Sequence, residues 1–287
     1  MNKPTNILSI DIESWIHKYF LKNESEIKKI KDNNYIYLAT LNILKTLDKY
    51  NIKTTFFIIG EIFNWYPSLI DKIKEAGHEI GFHTYSHIKL TDKDSLINEL
   101  TKGKKFIEKF DIKGFRAPEV TIKKEHLYIL KDWGFTYDSS IYSDLSIFEP
   151  IEGLFEVPIS TYSYIKNKKT IQFPRNLTFS LLIKEIPYGS GYFIGLFGSN
   201  IQWFIKQSNK KNIPASLVMH PWQIIEPQIM NIDFKSNIFY RIKMIPYNIN
   251  RKDTFDFLCK NYNFTPIIKL INEYSFNTEN QDNRIKS

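Results

Sequence analysis

Strand–helix alternation along the first two thirds of the chain predicts an α/β fold with parallel strands, tending toward a barrel. Three observations carry this. Short apolar or β-branched runs recur between amphipathic helical stretches, glycine closes several of those stretches, and an ionisable residue follows most of the strand-like runs. Repeated units of this kind imply parallel strands covered by their connecting helices, and six or more favour closure over an open sheet.

The first strand is Thr5–Ile12, a mostly apolar run broken by an acid, as a buried strand is. Residues 37–50 read as a helix from the spacing of Leu38, Leu41, Leu44 and Leu47. Thr54–Ile59 is β-branched and aromatic and ends at Gly60. Pro67–Ala76 is helical, with Gly77 as its C-terminal cap. His78–Phe82 is a further strand, Asp94–Phe110 a helix, and Gly114–Arg116 follows it. Lys123–Trp133 is helical up to Gly134, and Phe135–Tyr137 begins another strand. From about 149 to 192, Pro158, Pro174 and Pro187 interrupt short strand-like pieces, which marks an irregular insertion. Asn200–Lys211 returns to helix, Ala215–Met219 is a late strand, and Thr254–Tyr262 is helical. No repeat or linker divides the chain, so residues 1–270 read as one domain and 271–287 as a flexible tail.

Composition removes several function classes. With 43% hydrophobic residues among 287, the chain has ample material for a core, and 15% aromatics make that core ring-rich. A single cysteine, Cys259, excludes an internal disulfide and a Cys-x-x-Cys zinc knuckle, so any metal must be held by His and carboxylate. The net charge of +8 comes from lysines scattered over several amphipathic stretches, without the basic and aromatic stripe of a nucleic-acid groove. That charge is compatible with peripheral association with an anionic leaflet. No run approaches the length needed to span a bilayer, and Met1–Asp11 lacks the apolar core of a signal peptide, so a cytoplasmic location is expected.

Five strand ends deliver ionisable groups. His83 and His87, in His-Thr-Tyr-Ser-His, stand four apart; on one helical turn both imidazoles would reach a single cation. A His-x-x-x-His pair is weak alone, but this one follows a strand, where parallel α/β folds build their sites. Asp11 and Glu13 flank Ile12 and point to one side of an extended chain. One carboxylate could complete a two-histidine metal site with a position open for water, and the other could act as base. Arg116, before Ala117 and Pro118, could orient a carboxylate. Asp138 with Ser139 and Ser140 ends another strand, and His220 with Pro221 and Trp222 ends the last. Taken singly, each has an ordinary structural explanation as a cap, a loop arginine or a satisfied histidine.

In this order the motifs resemble the polysaccharide deacetylases of the NodB-homology type, carbohydrate esterase family 4. The first motif, Ser9-Ile10-Asp11-Ile12-Glu13-Ser14-Trp15-Ile16-His17, is most similar to the branch associated with exopolysaccharide loci. So are Gly189–Phe193, His220–Gln223, Phe239–Arg241 and Phe264–Pro266. The resemblance implies a distorted (β/α) barrel of about seven strands and one divalent metal ion, most often zinc. It implies Glu13, His83 and His87 as metal ligands, Asp11 as catalytic base, Arg116 as its holder, His220 as general acid and Asp138 as a neighbour tuning His220. Pro118, Trp222, Tyr192 and His17 are candidates to line the sugar site, with Trp133 a looser one. Two departures stand out: Ile12 separates the two acids of the first motif, and Glu119 follows Pro118 where a neutral residue is usual.

The implied reaction is hydrolysis of an N-acetyl group on a saccharide, and exopolysaccharide or cell-envelope glycan synthesis is the implied setting. Two other readings stay open at this point. One is hydrolysis of a non-sugar amide, and the other is a glycan-binding homologue that has lost catalysis.

Overall fold

The computed structural model describes residues 4–18, 24–164, 171–227 and 244–275. Within them the strands run, in chain order, β1 (Thr5–Ile12), β2 (Thr55–Ile58), β3 (Glu79–Phe82), β4 (Gly114–Phe115) and β5 (Tyr137–Asp138). They continue with β6 (Tyr142–Ser143), β7 (Phe148–Ile151), β8 (Leu154–Glu156), β9 (Ile159–Ser160) and β10 (Tyr162–Ser163). The last are β11 (Glu185–Ile186), β12 (Ser216–Met219) and β13 (Asn263–Phe264). Seven of them pair in parallel in the order β12-β1-β2-β3-β4-β5-β8; β7 adds antiparallel to β8 and β13 pairs with β1.

The wall does not stop at β12. Ser216 N–H donates to Ser160 Oγ at 2.9 Å and Val218 N–H to the Gly189 carbonyl at 2.7 Å. The irregular segment around 157–190 thus carries the wall on from β12, and the result is a distorted barrel. The 149–192 region expected as an insertion is therefore partly structural: it supplies β8, β9 and this contact.

Alternation along β1 shows how the barrel is filled. Leu8, Ile10 and Ile12 join the main core under the helices, whereas Ile7 packs with Phe57, Tyr137 and Val157 in a separate cluster. Ser9 and Asp11 share the Ile7 side, as period-two alternation requires, and both meet the Arg116 side chain. Gly81 on β3 is needed here, because a Cβ at that position would stand 2.5 Å from the Phe57 ring.

Two sequence expectations give way. The helix Tyr35–Lys49 buries Ile36, Ala39, Thr40, Ile43 and Leu47, while Leu38 is exposed. Leucines three apart drift backward around a 3.6-residue helix, so the four cannot share one face. Residues 267–275 form a helix whose Ile271 is buried, so regular structure continues past residue 270, where the tail was expected to begin. The rest of that tail, from 276, and Phe239–Arg241 lie outside the described residues.

Candidate active site

Parallel strands place all their carboxyl ends at one pole, and there the chain gathers Asp11 at the end of β1 and Glu13 just after it, His83 after β3, Arg116 after β4 and His220 after β12. Asp11, Glu13, His83, His87 and His220 line a cavity of about 370 Å³. His17, Pro118 and Tyr192 line it as well, together with Tyr142 and Tyr247.

The imidazoles of His83 and His87 meet edge to face, with ring centroids 5.0 Å apart. They are not on a helical turn. His83 leaves β3 and His87 lies in a loop where both Thr84 (φ +59°) and His87 (φ +57°) take left-handed backbone. His87 N–H donates to Thr84 Oγ1 at 3.1 Å. The loop is braced by Glu99, a fully buried carboxylate that accepts from the N–H groups of Tyr85 (2.9 Å) and Ser86 (2.6 Å) and from the Ser86 hydroxyl. Glu99 was not among the sequence candidates, although the signal was present. It is an acid within the otherwise apolar stripe Leu96, Leu100, Phe106, Ile107 of the helix Lys93–Phe110.

One oxygen of the Glu13 carboxylate, Oε1, is 3.1 Å from His220 Nε2, and the other, Oε2, is 2.9 Å from His87 Nε2. Oε2 is buried and has no hydrogen-bond partner beyond this His87 contact. Burial alone would push Glu13 up, but the charge of His87 and the hydrogen bond from His220 hold it well below the usual carboxylate range. His83 donates from Nδ1 to the Arg116 carbonyl at 2.8 Å, which turns Nε2 toward the pocket, and burial pushes its pKa down to about 4. Donor atoms of Glu13, His83 and His87 all lie within 4.8 Å of one another. Two imidazoles, one of them kept neutral and fixed through its other nitrogen, and an orphaned carboxylate oxygen fit a divalent cation with three protein ligands.

Asp11 sits beside this cluster, its Oδ2 3.9 Å from His83 Nε2. Arg116 donates from Nη1 to Asp11 Oδ1 at 2.7 Å and to Ser9 Oγ at 2.8 Å. Its other nitrogens donate to the Ser139 carbonyl and hydroxyl, and the guanidinium lies 4.0 Å from the Phe57 ring centroid. The Asp138-Ser139-Ser140 motif thus serves the site through its serines, since Ser140 Oγ also accepts from Ala117 N–H.

His220 is held from behind. Gln223 Oε1 takes the His220 N–H and faces its Nδ1, each at 3.1 Å, and Gln223 Nε2 donates to the Gly191 carbonyl. That amide orientation puts the Nδ1 proton toward Gln223 and leaves Nε2 facing Glu13. A Cβ on Gly191 would stand 2.9 Å from His220 Nδ1, so the approach requires glycine.

Other candidates stand differently from expectation. Asp138 is turned to Ser140 Oγ at 2.5 Å and to Glu156, its register partner on β8, rather than to His220. Trp222 is buried and does not line the cavity. It stacks on His220 (centroids 4.5 Å) and donates to the Tyr247 carbonyl. Trp133 packs against the core instead of the pocket. His17 stacks on Trp65 and accepts from Ser14 N–H, with Nε2 3.3 Å from Glu61, which pairs with buried Lys28. Glu119, in left-handed backbone, lies on the rim 3.7 Å from Lys89. Cys259 is buried in the helix Lys252–Asn261 and takes no part in the pocket.

The profile of the polysaccharide deacetylase family matches residues 15–137. The chain is 32% identical over 103 residues to a peptidoglycan-N-acetylglucosamine deacetylase of Bacillus cereus, a match covering 33% of this chain and 38% of that one. Over residues 15–137 the chain thus resembles the polysaccharide deacetylase family. Peptidoglycan-N-acetylglucosamine deacetylase PgdA of Listeria monocytogenes is 30% identical to it over 142 residues, 43% of this chain and 30% of its own. The chain therefore spans well under half the length of these two relatives. In fold, a crystal structure from Mycobacterium smegmatis assigned as a polysaccharide deacetylase superposes with a TM-score of 0.63 at 17% identity, covering 97% of this chain and 92% of that one.

Proposed function

We propose that this chain is a metal-dependent hydrolase of the polysaccharide deacetylase type that removes the N-acetyl group from a sugar unit of a saccharide. The observation that carries the reading is the placement of Asp11. It is a buried carboxylate with one oxygen held by Arg116 and the other turned to the Glu13–His83–His87 cluster, with His220 across Glu13. Glu13, His83 and His87 would hold the cation, zinc by the donor set, and when bound it supplies polarisation of the acyl carbonyl and acidification of water.

The chain's own groups divide the proton work. Asp11 Oδ2, the oxygen Arg116 does not take, accepts a proton as water adds to the acyl carbon. Arg116 holds and aims that carboxylate. His220, its Nδ1 proton committed to Gln223, delivers a proton from Nε2 to the amine nitrogen as the carbon–nitrogen bond breaks. Tyr142, Tyr192 and Tyr247 give the cavity ring faces suited to a sugar, which favours a saccharide over a small amide. The two peptidoglycan deacetylases above support a cell-envelope glycan as substrate, and the first motif keeps exopolysaccharide synthesis as the alternative setting.

Metal analysis of purified protein with acetate release from N-acetylated oligosaccharides tests this. Asp11→Asn is expected to keep its metal and lose turnover by about 10²–10⁴-fold. His83→Ala is expected to lose both. Full activity and full metal content in His83→Ala would remove the site as described, and acetate release from small amides alone would remove the saccharide.

A further inference from the structure

A short turn next to the pocket exposes apolar side chains that the fold does not use. Phe179, Leu182 and Ile183 fall at i, i+3 and i+4 on the turn that begins with the helix Phe179–Leu182, and they are 80%, 37% and 54% exposed. Spacing of this kind puts all three on one side. Tyr164, 51% exposed, joins them by donating its hydroxyl to the Leu182 carbonyl at 2.7 Å.

The turn is anchored. Leu181 is its buried residue and packs with Tyr142, Ile159 and Val218, three residues that also line the pocket. Asn176 and Leu177, just before the turn, line the pocket too. The exposed apolar face is therefore fixed relative to the cavity mouth.

Charge decides what would cover it. Lys184, exposed, is the one charged residue of 178–184. The next acid, Glu185, is buried and bonded to Arg175 and Thr161, so it presents no charge to the face. An apolar wedge that carries an exposed lysine and no acid of its own suits the boundary between acyl chains and anionic headgroups, where apolar burial and electrostatic attraction add. A water-facing saccharide platform would not need the aliphatic pair Leu182 and Ile183.

We infer that the 179–184 turn docks this protein onto an anionic phospholipid surface, with the cavity mouth held at that surface. The inference does not depend on the reaction proposed above, because its readout is binding to lipid. The test is co-sedimentation of the full chain with vesicles of phosphatidylcholine alone and of equal parts phosphatidylcholine and phosphatidylglycerol. Binding is expected to the second and not the first. Phe179→Ser combined with Ile183→Ser is expected to weaken it about tenfold or more, and Lys184→Glu to weaken it less. These side chains are exposed, so the variants keep the fold, which circular dichroism checks. Absence of wild-type binding to the anionic vesicles overturns the inference. So does binding that the double variant leaves intact, which would be charge attraction elsewhere on the surface. A wild-type dimer that the double variant converts to monomer, without vesicle binding, would make the face a contact between copies and overturn it equally.

Discussion

Asp11 and Asp138 occupy equivalent places at the carboxyl ends of parallel strands, both buried, and the barrel treats them in opposite ways. Asp11 receives a guanidinium at 2.7 Å and keeps one oxygen toward the cavity. Asp138 receives a serine hydroxyl and a second carboxyl, Glu156; burial pushes Asp138 up to about 6 and Glu156 well above its ordinary range. One acid is paired with a guanidinium and faces a pocket; the other is half of a buried carboxyl pair that faces protein. A strand-end carboxylate is thus not by itself a site; what makes one is a cation that compensates a single oxygen and leaves the other directed at open space.

The largest effect is expected from breaking the first arrangement. Arg116→Met leaves Asp11 buried without its partner and strands the acceptors on Ser9 and Ser139. Removal of one member of a buried ion pair costs about 3–5 kcal/mol, so the urea midpoint should fall steeply and acetate release should reach background. An Arg116→Met protein with wild-type stability would mean that the Asp11 charge is not what the guanidinium supports.

A third buried carboxylate sharpens the comparison, because Glu99 takes two backbone N–H groups on Oε2 and has the exposed Lys102 ammonium 3.6 Å from Oε1, rather than a buried guanidinium. Its expected effect is intermediate. Glu99→Ala should loosen the loop that carries His87 and lower metal affinity about 10–100-fold, read by competition with a chromophoric chelator. Unchanged affinity would show that the left-handed turn at Thr84 and His87 holds without it.

How much of this was legible differs by region for a physical reason. From β1 to the helix Lys124–Asp132, strand and helix periods alternate cleanly, and the residues after each strand meet because parallel strands end at one pole. Asp11, Glu13, His83, Arg116 and His220 could therefore be collected from sequence. The link from β12 to Ser160 and Gly189 could not, since its partners lie 56 and 29 residues apart in sequence and the strands there are two or three residues long. Trp222 looked like a sugar platform because periodicity does not report which side of a short helix is covered; its indole is taken up by His220 and Tyr247. Asp138 was linked to His220 by motif order, yet it is burial beside Glu156 that sets its environment. The helix Ser25–Asp32 inverts the usual pattern altogether, burying Lys28 and Asp32 and exposing Ile27 and Ile30, because Lys28 reaches Glu61 inside.

The smallest effect, and the most direct probe of the second arrangement, comes from Glu156→Gln. Both acids of the pair hold protons more tightly folded than unfolded. Their contribution to stability is therefore fullest below the ordinary carboxylate range and is lost as pH rises through about 6, where Asp138 titrates. Glutamine keeps an oxygen to accept from Ser140 N–H and offers Asp138 an N–H that needs no proton. The variant should match the wild type near pH 4 and gain on it by on the order of 1–2 kcal/mol by pH 7, with catalysis unchanged because neither acid faces the cavity. Other titrating groups cancel in the difference between the two stability curves. Parallel curves would show that the pair is ionised throughout, and a loss of acetate release would place Asp138 in the catalytic circuit after all.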